Sequence, residues 1–234
     1  MISKRSASDP KIPHGVPSDV SAIRKKIKTF LDTETEQGRI GNCPFGVYVF
    51  YDYDGEPIYV GQTYETLRQR IGRHLTNQRT DAVAMNVLDP FEVAEIEVWP
   101  CWNLTVGKTD LNKVKKHLNA VEYTVFEKVL HSSSFGAFLN EKDVSATSTV
   151  KLPVSHRQRI IPDDLYEGRK HPDVRIARRA STIASLARVI SERRVSAGLR
   201  RTLVTQARRL ERLASQRLKD FEGEIPERGG TEEE

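Results

Sequence analysis

The sequence predicts an α+β protein, in which a small mixed or antiparallel three-stranded sheet is flanked by helices and followed by a basic α-helical C-terminal extension. Three observations predict this fold class. Two β-rich runs flank the turn pair Asp54-Gly55, which is a strong hairpin signal. Residues 91–99 alternate between apolar and polar and predict a third strand. Residues 172–222 combine helical periodicity with 13 Lys/Arg against 5 Asp/Glu.

The N-terminal part is predicted to hold one helix behind a flexible tail. Residues 1–17 are rich in Ser, Pro and Lys, which is typical of disorder. Ser18 can cap a helix of about 19–32 whose apolar residues share one side. Glycines and a proline end this N-terminal helical segment, which spans 18–41.

The next hundred residues, 42–142, are predicted to form the main domain. After the hairpin come a helix of about 64–77, the strand at 91–99 and a longer helix of about 110–131. A short strand at 137–139 is predicted to close the sheet.

The C-terminal part divides into an arm, a basic region and an acidic tail. Residues 143–171 contain few apolar clusters and predict a linker or arm. Residues 172–222 fit one long helix or a two-helix hairpin with a weak point near Gly198. Residues 223–234 are acidic and predict a disordered tail.

The positive charge is concentrated in the basic region. It has a net charge of +8, whereas residues 42–142 contain 10 Lys/Arg and 13 Asp/Glu, a net of −3. Clustered arginine is the usual electrostatic footprint for a polyanion. The solvated face of a helix pair would explain the charge pattern equally well. A homodimer formed through the apolar stripe of these helices is the rival role for the same segment.

Composition excludes some classes of protein. No stretch approaches the ~18 consecutive apolar residues that a membrane span needs. The N-terminus has no apolar run of the signal-peptide kind. The two cysteines, Cys43 and Cys101, are expected to be reduced and buried, and the protein is expected in the cytoplasm.

Hairpin geometry brings two tyrosines together. If Asp54-Gly55 is a two-residue loop, Tyr48 faces Gly61 and Phe50 faces Tyr59. All four then lie on one face of the sheet, with the two tyrosines as diagonal neighbours about 7–8 Å apart at Cα. A pair of core tyrosines is the simpler interpretation of this pattern alone.

The two helices that follow add three groups with chemical potential. Arg70 and His74 are four residues apart and share a helix face, although a surface arginine and a half-buried histidine would look the same. Glu122 lies within the apolar stripe of its helix, so its carboxylate should be buried or line a pocket. A buried carboxylate is costly unless it is paired or binds a metal, and a structural salt bridge is the alternative.

Together these residues resemble a known family. Gly46-Val47-Tyr48 followed by Tyr59-Val60-Gly61 resembles the paired signature of the GIY-YIG nuclease superfamily, with valine in place of isoleucine in both. In that family an arginine and, four residues later, a histidine follow on the next helix, a glutamate lies on a later helix, and an asparagine follows a short strand. The matching residues here are Arg70, His74, Glu122 and Asn140.

The resemblance implies a DNA endonuclease that hydrolyses phosphodiester bonds with a single Mg²⁺ or Mn²⁺ ion on Glu122. It implies that Arg70 holds a phosphate oxygen, that Tyr48 orients or deprotonates the attacking water, and that Asn140 braces the site. Tyr59 and His74 would complete a hydrogen-bond relay. The residues expected to contact substrate are Gly61, Gln62 and Arg73.

Two other functions stay open at the level of sequence: a catalytically inactive DNA-binding or regulatory protein on the same fold, and an RNA-cleaving nuclease. Restriction, phage defence, mobile-element cleavage and repair would all suit a DNA endonuclease, and fold alone does not choose among them. Deletion of residues 172–234 is expected to weaken DNA binding and leave the active site intact.

Overall fold

A computed structural model describes residues 17–75, 87–104, 111–140 and 144–224. The tails predicted as disordered, 1–17 and 223–234, lie almost wholly outside these ranges. The helices are α1 (Ser18–Leu31), α2 (Leu67–Leu75), α3 (Leu111–Leu130), α4 (Asp163–Lys170), α5 (Pro172–Glu192) and α6 (Ala197–Glu224). The strands are β1 (Glu34–Thr35), β2 (Gly38–Arg39), β3 (Gly46–Tyr51), β4 (Pro57–Thr63), β5 (Glu95–Pro100) and β6 (His156–Arg159).

The main sheet is antiparallel and has the strand order β4-β3-β5-β6. The predicted α+β class is therefore confirmed, with four strands in this sheet instead of three. The additional strand, β6, comes from residues 143–171, which were predicted to be a linker or arm. Its sequence, His-Arg-Gln-Arg, has no apolar alternation and gave no strand signal, because β6 pairs at the sheet edge with only one neighbour.

The predicted strand at 137–139 is not formed. This segment runs beside the other edge of the sheet, where the Leu139 N–H donates to the carbonyl oxygen of Ile58 at 2.8 Å. The contact fixes the position of the following residue, Asn140, without a continuous ladder.

The β3–β4 hairpin has the predicted pairing at the two tyrosines but a different turn. Tyr48 pairs with Gly61 and Phe50 with Tyr59, as predicted. The two-residue loop is wrong, because a register shift after Phe50 leads into a longer turn. Within that turn the Asp52 carboxylate accepts two backbone N–H bonds at 2.9 and 3.0 Å, and Gly55 adopts φ 73°, a conformation that favours glycine.

Strand β3 lies at the centre of the protein and all six of its residues are buried. One face of the sheet, with Tyr48 and Phe50, packs against α1, α2 and the C-terminal helices. The opposite face, with Val47 and Val49, packs against the apolar stripe of α3. This alternation follows from the two-residue period of a strand, and it places the tyrosine face in the more crowded layer.

Helices α5 and α6 form a hairpin that packs on the sheet and its flanking helices in the same chain. Leu186 of α5 and Leu199 of α6 belong to the apolar cluster that contains Tyr48. The apolar stripe is thus used within one chain, and the described residues give no support to the predicted homodimer. Deletion of residues 172–234 would expose this shared apolar core. The packing therefore argues against the expectation that such a deletion leaves the active site intact.

A buried charge network, here called the arginine cluster, fastens the helices to the hairpin turn. The Asp52 carboxylate faces the guanidinium groups of Arg175, Arg179 and Arg209, and its own exposure is 2%. The remaining two members are carboxylates that pair with the same arginines, namely Asp54 and Glu92. Part of the basic charge predicted to bind a polyanion is therefore structural.

Other basic residues of α5 and α6 and the turn between them point to solvent. They are Arg188, Arg193, Arg194, Arg200, Arg201, Arg208, Arg212 and Lys219. Within the described ranges, none of the helices combines the length and apolar character required to cross a membrane. Both cysteines are free and buried, as predicted.

Candidate active site

The candidate active site is organised around the hydroxyl of Tyr48. This side chain projects from the centre of β3 and is fully buried. Its hydroxyl lies 3.1 Å from His74 Nε2 and accepts a hydrogen bond from Arg70 Nε at 3.2 Å. Both predicted site residues of α2 therefore contact the same phenol, because residues four apart lie on one face of a helix.

Gly61 makes room for that phenol. A Cβ added at Gly61 would lie 2.6 Å from the Tyr48 hydroxyl oxygen and 2.9 Å from Cε1 of Tyr59. The space above this glycine is filled by the Tyr48 ring. Any larger residue at position 61 would displace the two tyrosines.

Tyr59 and His74 complete an aromatic layer around the site. The Tyr48 and Tyr59 rings are stacked with centroids 6.1 Å apart, and His74 lies 5.2 Å from Tyr59. His74 is 6% exposed, so its ring is held between two phenols and has little freedom to turn. The predicted position of Tyr48 and Tyr59 on one face of the sheet is confirmed.

Arg70 connects the buried tyrosine to the surface. It is half-buried, and it lines a surface pocket of about 380 Å³ together with residues 62–65. Burial opposes the charged form of Arg70, but the Tyr48 oxygen and other nearby groups outweigh that effect and raise the pKa of the guanidinium. A permanent cation with donors toward both Tyr48 and a pocket is suited to hold a phosphate oxygen.

Glu122 lies on α3 at the border between the apolar stripe and the site. It is half-buried, and burial raises the pKa of its carboxyl to about 7, while the Arg70 charge acts in the opposite direction. None of the described residues donates a hydrogen bond to its side chain or forms an ion pair with it. The structural salt bridge considered from sequence is therefore not formed.

A carboxylate in this state fits a divalent cation. Among the described residues no group of three or more His, Cys, Asp and Glu is arranged to hold a metal, so Glu122 would be a lone protein ligand. Mg²⁺ commonly binds through one or two carboxylates and fills its other positions with water and substrate phosphate. The donor set is thus compatible with one ion of this kind.

Asn140 braces the second tyrosine strand. Its side chain accepts from the Val60 N–H at 3.2 Å and donates to the Val60 carbonyl oxygen at 2.7 Å. These two hydrogen bonds hold the β4 backbone at Val60, between Tyr59 and Gly61. The side chain acts on the backbone of the site and does not enter the cluster of Tyr48, Arg70 and His74.

The two remaining predicted substrate contacts have different surroundings. The Gln62 amide donates to Asn119 Oδ1 at 2.8 Å and lines the pocket beside Arg70. Arg73 is exposed and forms a two-point ion pair with Glu65. Sequence reasoning missed Asn119 and Tyr64 at this rim, because a polar residue on a helix and a tyrosine in a turn carry no signal until the fold brings them together.

This arrangement defines a class of protein. Residues 44–124 match the family model of the GIY-YIG catalytic domain. The match covers about a third of the chain and supports a nuclease domain of the GIY-YIG superfamily in this stretch; nucleases of that superfamily generally use divalent metal ions and act on nucleic acid. Neither a curated protein nor a solved structure matches the chain.

Proposed function

We propose that this protein is a DNA endonuclease that hydrolyses phosphodiester bonds with a single Mg²⁺ or Mn²⁺ ion held by Glu122. The observation that carries the proposal is the position of the Tyr48 hydroxyl between His74 Nε2 and Arg70 Nε. A structural tyrosine needs one partner for its hydroxyl, whereas this one meets both a proton acceptor and a permanent cation.

Each side chain has a defined part in the proposed reaction. Tyr48 orients the attacking water, gives its phenolic proton to His74 Nε2 and takes a proton from the water in its place, because the Arg70 N–H bond stabilises negative charge on the phenolic oxygen. His74 exchanges that proton through its Nε2 atom, and Tyr59 keeps the imidazole in place. The Arg70 guanidinium also neutralises a non-bridging oxygen as negative charge gathers on phosphorus.

Glu122 is the proposed metal ligand because its carboxylate has no protein partner among the described residues. A divalent ion bound there would supply Lewis-acid stabilisation of the leaving 3′ oxygen. Asn140 holds the β4 backbone, so that Gly61 stays in contact with the Tyr48 ring.

Attraction for DNA is proposed to come from the exposed arginines of α5 and α6. Residues 42–142 have a net charge of −3, so this part of the chain has little long-range attraction for a polyanion. Arginines that face solvent, such as Arg200 and Arg208, can neutralise phosphates and release counterions. The buried arginines are excluded from this role by their pairing with Asp52, Asp54 and Glu92.

The test is cleavage of supercoiled plasmid in Mg²⁺ by the wild type, Glu122→Ala and Glu127→Ala. Glu127 lies on the same helix outside the site and serves as the matched control. Cutting by the wild type and the control, with none by Glu122→Ala, is the expected result. Equal cutting by Glu122→Ala would overturn the assignment of the metal ligand.

A parallel assay with an RNA of the same sequence separates the proposal from an RNA nuclease. Binding of DNA without cutting of either polymer would favour the catalytically inactive, regulatory alternative. Discrete fragments from the plasmid would support a site-specific enzyme of the restriction or phage-defence kind, and a smear would argue against that role.

A further inference from the structure

The rim of the candidate active site carries an aromatic side chain that has no part in the proposed chemistry. Tyr64 follows β4 directly and is 49% exposed, one of the few large rings left in solvent within the described ranges. It lines the same pocket as Arg70. A ring at this position is adjacent to the place where a phosphate would bind.

The ring is held in place through its hydroxyl. The Tyr64 hydroxyl lies 3.3 Å from Asn119 Oδ1 and 3.5 Å from Gln62 Oε1, and Gln62 donates to the same Asn119 oxygen at 2.8 Å. A three-residue polar contact therefore anchors an otherwise exposed side chain. An anchored ring loses less conformational entropy when a ligand packs on it, which is the requirement for a binding platform.

Tyr64 is also close to both charged groups of the site, since it shares a pocket with Arg70 and its hydroxyl is affected by the charge of Glu122. Asn119 is one helical turn before Glu122 on α3, and Glu122 is near enough to raise the pKa of the Tyr64 hydroxyl, although burial contributes more. The pocket wall thus contains both an aromatic ring and a guanidinium that suits phosphate, and the Glu122 carboxylate is close enough to act on the ring hydroxyl. In a nucleic acid, the group next to a phosphate that offers a flat apolar surface is the base.

We propose that Tyr64 stacks on an unpaired base next to the scissile phosphate, so that the preferred substrate is single-stranded or locally unpaired DNA. Inside a duplex each base face is covered by its neighbours, and only a base that has left the stack can meet the ring. Asn119 and Gln62 act as positioning residues for Tyr64. The inference rests on the proposed function and adds the substrate class.

The experiment measures binding by full-length protein that carries Glu122→Ala, so that the probe is not consumed. The probes are a fluorescent thymidine oligomer and an oligomer of the same length whose sugars lack bases, at one fixed salt concentration. Phosphate contacts are equal for the two probes, and their affinity ratio isolates stacking. We expect a ratio of about tenfold, the usual scale for one stacked base.

Two further substitutions at position 64 decide the outcome. Tyr64→Leu should bring the ratio close to one, whereas Tyr64→Phe, which keeps the ring, should retain most of it. An unchanged ratio in Tyr64→Leu, or equal binding of both probes by the parent protein, would overturn the inference. Thermal melting of each variant checks that the fold is retained.

The same data separate this inference from the proposed function. A base-dependent ratio together with a wild type that cuts no DNA would leave the stacking platform in place and remove the endonuclease. Cutting of DNA by the wild type with no base-dependent ratio would keep the endonuclease and remove the platform.

Discussion

Asp52 and Glu122 are both carboxylates that the fold withdraws from water, and their surroundings are opposite. Asp52 faces three guanidinium groups from α5 and α6 and caps its own turn through two backbone N–H groups. Glu122 has no such partner among the described residues, and burial raises the pKa of its carboxyl to about 7. The charge of Asp52 is therefore balanced by arginines of the same protein, whereas the carboxylate of Glu122 remains available to a ligand.

The comparison distinguishes a carboxylate that holds elements of the fold together from one that remains available to a ligand. In the arginine cluster every carboxylate pairs with at least one guanidinium group, so these charges fix the position of elements and balance one another. An unpaired, desolvated carboxylate next to Arg70 is unfavourable for stability and becomes favourable only when a cation arrives. Substitutions in the two clusters should therefore affect different measurements.

The largest expected effect is on stability, in the arginine cluster. Asp52→Asn keeps the shape of the side chain but leaves three buried arginines without their shared anion. We expect the free energy of unfolding to fall by about 3–5 kcal/mol, the usual cost of breaking a buried ion pair. Denaturant unfolding measures it, with the exposed Asp164→Asn as control. A loss below about 1 kcal/mol would contradict a structural role for the cluster.

A large effect on activity without loss of stability is expected at the other carboxylate. Glu122→Gln should reduce DNA cleavage at least about a hundredfold, because the proposed metal ligand is lost. The melting temperature should stay the same or rise, since a desolvated charge is removed. The measurements are initial cleavage rates and a thermal melt. A fall in melting temperature equal to that of Asp52→Asn would show that Glu122 also has a structural role, and would contradict the contrast between the two carboxylates.

An effect of intermediate size concerns pH. Because the raised pKa of Glu122 keeps its carboxyl protonated below about pH 7, a proton competes with the metal there. The Mg²⁺ concentration for half-maximal cleavage should be about tenfold higher at pH 6 than at pH 8. The maximal rates at the two pH values are compared separately, at saturating Mg²⁺. Metal dependence that is flat across this range would argue against Glu122 as the ligand.

The smallest expected effect distinguishes two neighbouring arginines. Arg208 is exposed, whereas Arg209 is buried against Asp52. Arg208→Gln should weaken DNA binding a few-fold and reduce the salt slope by about 0.9, while the melting temperature is unchanged. Arg209→Gln should instead lower the melting temperature. An Arg208→Gln variant with the wild-type salt slope would contradict the DNA-binding role of α6.

The sequence predicted the parts of this fold that depend on local pattern. Hairpin periodicity placed Tyr48 and Tyr59 on one face, and the stripe of α3 marked Glu122 as an unusual carboxylate. It did not predict the longer turn, since the Asp54-Gly55 pair is equally compatible with a two-residue loop. Nor did it predict β6, because an edge strand of alternating His, Arg and Gln has no apolar face to detect.

The arginine cluster was hidden for a different reason. A run of arginines on a helix looks the same whether its partners are phosphates in solution or carboxylates far away in the chain. Asp52 and Arg209 are 157 positions apart, and only tertiary structure reveals that they meet. The rim of Tyr64 and Asn119 is likewise formed by residues 55 positions apart.

The position of β3 inside the sheet has a consequence for how the protein would lose its structure on heating. Both faces of this strand are covered and both edges are paired, so its amide hydrogens should exchange with deuterium only through global unfolding. Tyr48 is carried by that strand, and its geometry should persist as long as the native state does. Tyr64 lies beyond the end of β4, where local opening is easier, so the proposed stacking contact should be lost before Tyr48 is displaced.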